Sequence, residues 1–159
     1  MIVLKTKLKR LIVCLALPLI IGGLSALLSG PGMELFASLE QPPLSPPGWL
    51  FPVVWTLLYL MMGLASCLVL ESGGERKQIS AALTLYGVQL AVNFFWSIFF
   101  FNMQLYLFSF FWLVLLWCLI FATLISFYRL SKPAGLLLVP YLLWVTFAGY
   151  LNLAIALLN

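Results

Sequence analysis

The sequence predicts an all-α membrane protein, a single domain over residues 1–159 built as a bundle of five transmembrane helices with a cytoplasmic N-terminus and an outer C-terminus. Three observations predict it. First, 65% of the 159 residues are hydrophobic and only 8% are charged, against about 25% charged in a soluble domain. Eight basic and four acidic side chains cannot cover a globule in water. Second, apolar runs bounded by charge or turn signals fall at about 11–28, 49–70, 79–101, 105–128 and 135–158, each within the roughly 17–25 residues that cross a bilayer core as a helix. Third, an inside N-terminus places all eight basic residues on the inner side and none outside. That is the bias expected of cytoplasmic segments.

The first run follows Lys5, Lys7, Lys9 and Arg10, as a secretory signal would. It is longer than a usual signal core and lacks a small-residue cleavage site, so it is expected to be a retained helix. Pro18 and Gly22-Gly23 inside it are tolerable where neighbouring helices satisfy freed backbone groups and approach closely. An outer loop is expected over about 29–48, opened by a turn at Gly30-Pro31-Gly32. Its second half, Gln41 to Trp49, has four prolines in nine residues, which hold the chain extended and stiff. Such a segment serves as a lid over the bundle or as a rigid connector into the second helix. Residues 78–128 contain no charge, and Asn102-Met103-Gln104 is the best break in a stretch too long for one crossing. The third and fourth helices therefore form a tight hairpin.

The inventory also excludes function classes. With no His and no Asp, and only Glu34, Glu40, Glu71 and Glu75 as carboxylates, a His-based triad, a metal centre or a paired-carboxylate hydrolase has no residues to build it. No metal site and no required cofactor are expected. The net charge of +4 comes from basic residues at the ends of apolar runs; it is a topology signal and does not point to nucleic acid. Cys14, Cys67 and Cys118 lie in apolar stretches and read as small buried hydrophobes.

The informative residues are amides and aromatics at membrane depth. Gln89, Asn93 and Trp96 recur at i, i+4 and i+7 of the third helix, with Phe100 continuing the face. An amide in hydrocarbon is costly unless hydrogen-bonded, so this face points into the bundle. The second helix offers Trp55, Tyr59, Met62 and Ser66 at similar spacing; the fifth offers Pro140, Trp144, Phe147 with Ala148, Leu151 with Asn152, and Ile155. Together the three faces suit a pocket for a flat, mostly apolar ligand; amides that only glue helices together give the same spacing. The fourth helix, aromatic around much of its circumference, reads as lipid-facing or packing surface and as a candidate dimer face.

Three blocks carry a more specific signal: Pro46-Pro47-Gly48-Trp49 with Pro52-Val53-Val54-Trp55 and Leu58 to Gly63, Gln89 to Trp96 with Ile98-Phe99-Phe100, and Pro140 to Trp144 with Phe147-Ala148 and Leu151-Asn152. In order and spacing they resemble the TspO/MBR family, the translocator proteins also called tryptophan-rich sensory proteins or peripheral-type benzodiazepine receptors. The resemblance spans essentially the whole chain. It implies a bacterial-type, homodimeric five-helix protein with a pocket for protoporphyrin IX and for isoquinoline carboxamide-type ligands; the basic bias fits a bacterial plasma membrane entered from the cytoplasm. Carried over by motif, the pocket residues are Trp55, Gln89, Asn93, Trp96, Trp144, Phe147, Ala148 and Leu151. The resemblance further implies light- and oxygen-dependent porphyrin breakdown at Trp55 and Trp144 as an alternative activity. The expected function is a receptor or carrier of tetrapyrroles in a sensory or tetrapyrrole-handling role; facilitated transport of porphyrin or lipid-like molecules is the remaining alternative. Two departures stand out. The first loop reads Leu35-Phe36 and Leu44 where the family commonly has aromatic residues, and the chain after the fifth helix lacks the aromatic and basic residues of a cholesterol-recognition pattern. No specific cholesterol role is expected.

Overall fold

The computed structural model describes the backbone of residues 2–159 and the side chains from Thr6 onward. Its helices are α1 (Ile2–Phe36), α2 (Leu50–Leu70), α3 (Arg76–Ser97), α4 (Tyr106–Leu130), α5 (Lys132–Leu136) and α6 (Val139–Leu158), with a π-helical turn, Ile98–Asn102, closing α3. Among the described residues, five helical stretches are long and apolar enough to cross a membrane: Thr6–Phe36, Leu50–Leu70, Arg76–Asn102, Tyr106–Leu130 and Lys132–Leu158. The chain is a multi-pass integral membrane protein.

The first span begins before residue 11, within the basic stretch, and two further boundaries differ from the sequence reading. Residues 29–36 are helical, so the connection to α2 spans only about 37–49, and Gly30-Pro31-Gly32 lies inside α1 and makes no turn. Tertiary contact overrides the breakers. Gly32 meets the backbone of Phe101 so closely that a side chain there would overlap it, Asn102 donates from Nδ2 to the Leu28 carbonyl at 2.8 Å, and the Phe36 ring packs against Phe100 and Phe101 with centroids 5.6 Å away in each case. The fifth span begins at Lys132 and changes character before Val139, because Pro140 has no N–H to give to the carbonyl one turn earlier. By contrast, the hairpin break falls where expected: Gln104 takes φ of 54° and turns the chain between the π-helical turn and α4.

The spans alternate in direction. Near the basic end α1 and α2 touch at Gly63, where a Cβ would lie 2.6 Å from the Cys14 carbonyl oxygen. Small residues allow such close backbone approach in lipid, where packing and hydrogen bonds, and not water exclusion, join helices. Elsewhere α3 packs on α4, and α4 on both α5 and α6, while the backbones of α2 and α6 keep their distance and meet through side chains. Trp112 donates to the Val92 carbonyl at 2.8 Å and Trp117 to the Thr146 hydroxyl at 2.8 Å; two tryptophans of α4 thus tie it to its neighbours. Cys14 and Cys67 are buried, but Cys118 is exposed, contrary to the expectation for all three.

Candidate functional site

The wide spacing of α2, α3 and α6 is filled by large side chains. On α3 and the π-helical turn that closes it, Gln89, Asn93, Trp96 and Phe100 are all buried. Four-residue and seven-residue steps bring them to the same side of the helix, and each buried polar atom they carry into the membrane is costly without a partner.

The first cluster holds the two amides. Tyr141 donates its hydroxyl to Gln89 Oε1 at 2.9 Å, while Gln89 Nε2 finds only the Met62 thioether at 3.9 Å, a weak acceptor. Asn93 donates from Nδ2 to the Tyr59 hydroxyl at 3.1 Å. Trp55 stands over this pair, 5.5 Å from the Tyr59 ring and 6.1 Å from that of Tyr141. Nearer the loop, Trp144 lies 6.0 Å from Phe51 and 5.6 Å from Phe147. Its indole N–H is buried with no acceptor among the described residues. Both clusters share the α2 face that runs through Phe51, Trp55, Tyr59 and Met62. The rings themselves occupy the space between the helices.

Trp96 belongs to a third arrangement. Its Nε1 donates to Asn152 Oδ1 at 3.1 Å, and Asn152 Nδ2 donates to the Tyr106 carbonyl at 2.7 Å, so Asn152 joins α3, α4 and α6. The Trp96 ring stacks on Phe100 at 5.4 Å. Of the residues named from the sequence, Trp55, Gln89 and Asn93 come together around Tyr59 and Tyr141; Trp144 and Phe147 form the neighbouring cluster; Trp96 serves the Asn152 junction; Ala148 and Leu151 are buried on α6. Trp55 and Trp144 sit in different ring clusters.

The buried face of α6 comprises Tyr141, Val145, Ala148, Leu151, Asn152 and Ile155. It is rotated from the face read in the sequence: Pro140 is exposed and Trp144 lies on its flank. Tyr141 and Val145 each stand one position after Pro140 and Trp144, on the adjacent face of the helix. The signal was present in the i, i+4, i+7, i+11 run of Tyr141, Val145, Ala148 and Asn152. A separate groove of about 280 Å³ on the lipid-facing side, between α4 and α6, includes Phe110, Trp117 and Gly149 and has none of these amides.

The loop lies over the end of α6 beside the Trp144 cluster. Glu40 donates its N–H to Asn159 Oδ1 at 3.0 Å, Asn159 Nδ2 returns a bond to the Glu40 carbonyl at 3.2 Å, and the Tyr150 hydroxyl donates to the Pro43 carbonyl at 2.8 Å. Tyr150 in turn stacks on Phe147 at 6.2 Å.

Comparisons with known proteins agree with this architecture. The chain is 44% identical over 150 residues to the tryptophan-rich protein TspO of Chlorobaculum tepidum, covering 94% of this chain and 95% of that protein. It is 37% identical over 126 residues to the tryptophan-rich sensory protein of Cereibacter sphaeroides, with 79% and 77% covered. It is also 39% identical over 124 residues to the translocator protein of Bos taurus, with 77% and 73% covered. The model of the TspO/MBR family matches residues 14–158, and the chain, with its five spans and its aromatic junction of α2, α3 and α6, belongs to that family.

Proposed function

We propose that this protein is a sensory membrane receptor or carrier that binds protoporphyrin IX-like tetrapyrroles between α2, α3 and α6. The reading rests on one observation above others. Two neighbouring ring clusters, Trp55 with Tyr59 and Tyr141 and Trp144 with Phe51 and Phe147, line a junction whose polar groups are only partly matched, with the Trp144 indole N–H unpaired among the described residues and Gln89 Nε2 against a thioether. A flat aromatic macrocycle offers such a site stacking area, and oxygen acceptors on its edge satisfy donors that the protein leaves unmet. The ligand replaces ring-on-ring contacts by ring-on-macrocycle contacts and costs the junction little apolar burial. Names borne by relatives support the sensory part of the reading.

Titration of the purified protein with protoporphyrin IX is expected to quench tryptophan fluorescence saturably. Trp144→Ala and Asn93→Ala each weaken binding by about tenfold, the scale of one lost stacking partner or one lost buried hydrogen bond. Saturable binding with an unchanged dissociation constant in both variants rules the site out.

A further inference from the structure

Tyr59 reaches from α2 to two other helices. Its hydroxyl accepts the Nδ2–H of Asn93 on α3 at 3.1 Å, and its ring lies flush on α1 at Gly22, where an added Cβ would overlap Cε2, Cδ2 and Cζ of the ring. The adjacent Gly23 has open space on its side, with nothing within 4 Å of a Cβ position. Glycine inside a helix costs about 1 kcal/mol relative to alanine. At position 22 the ring explains that cost. The Trp55 ring lies 5.5 Å from that of Tyr59, so the tyrosine touches a glycine notch, an indole and an amide.

From this geometry we infer that Tyr59 is a specificity-determining residue of the α2–α3–α6 site, an inference that rests on the ligand reading above. In the empty protein its hydroxyl stands in for an oxygen acceptor of the ligand on Asn93. The Gly22 notch keeps its ring against α1 and out of the ligand's space. A ligand with a carbonyl or carboxylate takes over the Asn93 N–H and the hydroxyl yields it, while the ring stays in its notch. A ligand without an oxygen acceptor leaves the Tyr59–Asn93 bond in place and gains nothing from Asn93. The pair therefore selects acceptor-bearing macrocycles over purely hydrocarbon-edged ones.

The two halves of the device predict opposite effects. Tyr59→Phe removes the stand-in, so the empty protein melts at a lower temperature and binds protoporphyrin IX about 3- to 10-fold more tightly. Etioporphyrin, which has no oxygen acceptors, gains no affinity. Gly22→Ala pushes the ring inward and weakens protoporphyrin IX binding by about tenfold; the same change in a Tyr59→Ala background has no effect. Wild-type binding with unchanged or weaker binding by Tyr59→Phe overturns the inference alone, as does an equal gain for etioporphyrin. Equal harm from Gly22→Ala in both backgrounds overturns the notch, and that arm decides the matter if Tyr59→Phe does not fold. Absence of protoporphyrin IX binding in both the wild type and Tyr59→Phe overturns the ligand reading, and this inference with it.

Discussion

Single side chains at membrane depth act here as connectors between helices, and Asn152 shows how much one residue can hold. It accepts from Trp96 and donates to the Tyr106 carbonyl, so its removal orphans a buried indole N–H and takes from the Tyr106 carbonyl a second bond beyond its helical one. Side-chain hydrogen bonds between membrane helices average about 0.6 kcal/mol, and a buried group left unpaired costs about 1–3 kcal/mol more. Asn152→Ala is expected to lower the melting temperature in detergent through a loss of about 2–4 kcal/mol. A melting curve that overlays the wild type would show that water or lipid satisfies both groups. The amides Gln89 and Asn93 were legible in the sequence because amides are rare in apolar spans and their spacing defines a face. Their partners Tyr59, Tyr141 and Met62 lie on other helices, and no spacing along one helix reveals which ring reaches which amide.

At the scale of an element, α1 is the longest helix, and its path depends on glycine notches. Gly22 receives the Tyr59 ring, Gly32 meets the Phe101 backbone and Gly63 of α2 meets α1 at Cys14. The Gly63 contact is with backbone, which cannot swing aside as a side-chain tip can. Gly63→Ala is therefore expected to force α1 and α2 apart and destabilise the protein by about 1–3 kcal/mol despite its better helix propensity. Unfolding in a graded denaturing detergent measures it; a stabilised variant would mean that α1 shifts freely. The apolar runs in the sequence located every span, since length and hydropathy are local properties. Gly30-Pro31-Gly32 reads locally as a breaker, yet the helix runs through it, because packing against the π-helical turn at Gly32 and the Asn102 bond to the Leu28 carbonyl hold that stretch in place.

For the whole molecule, alternation of the spans gathers the start of α1, the α2–α3 connection and the α4–α5 connection at one end, with the basic residues, and the loop over 37–49 at the other. The basic end is expected to face the cytoplasm of a bacterial plasma membrane. A periplasm-active reporter fused after Asn159 should be active, and a cytoplasm-active one silent; the reverse pattern would invert the assignment. The sequence by itself determined the membrane class, the number of spans and the inward face of α3, because each is written in composition, run length or periodicity along one stretch of chain, and its three motif blocks carried the resemblance to the family. Only the tertiary structure decided the rotation of α6 toward Tyr141, the extension of α1 through Pro31, and the meeting of Tyr59 with Asn93 and Gly22. Those features depend on contacts between residues distant in sequence, where a shift of one position around a helix, about 100°, changes which side chain faces its neighbour.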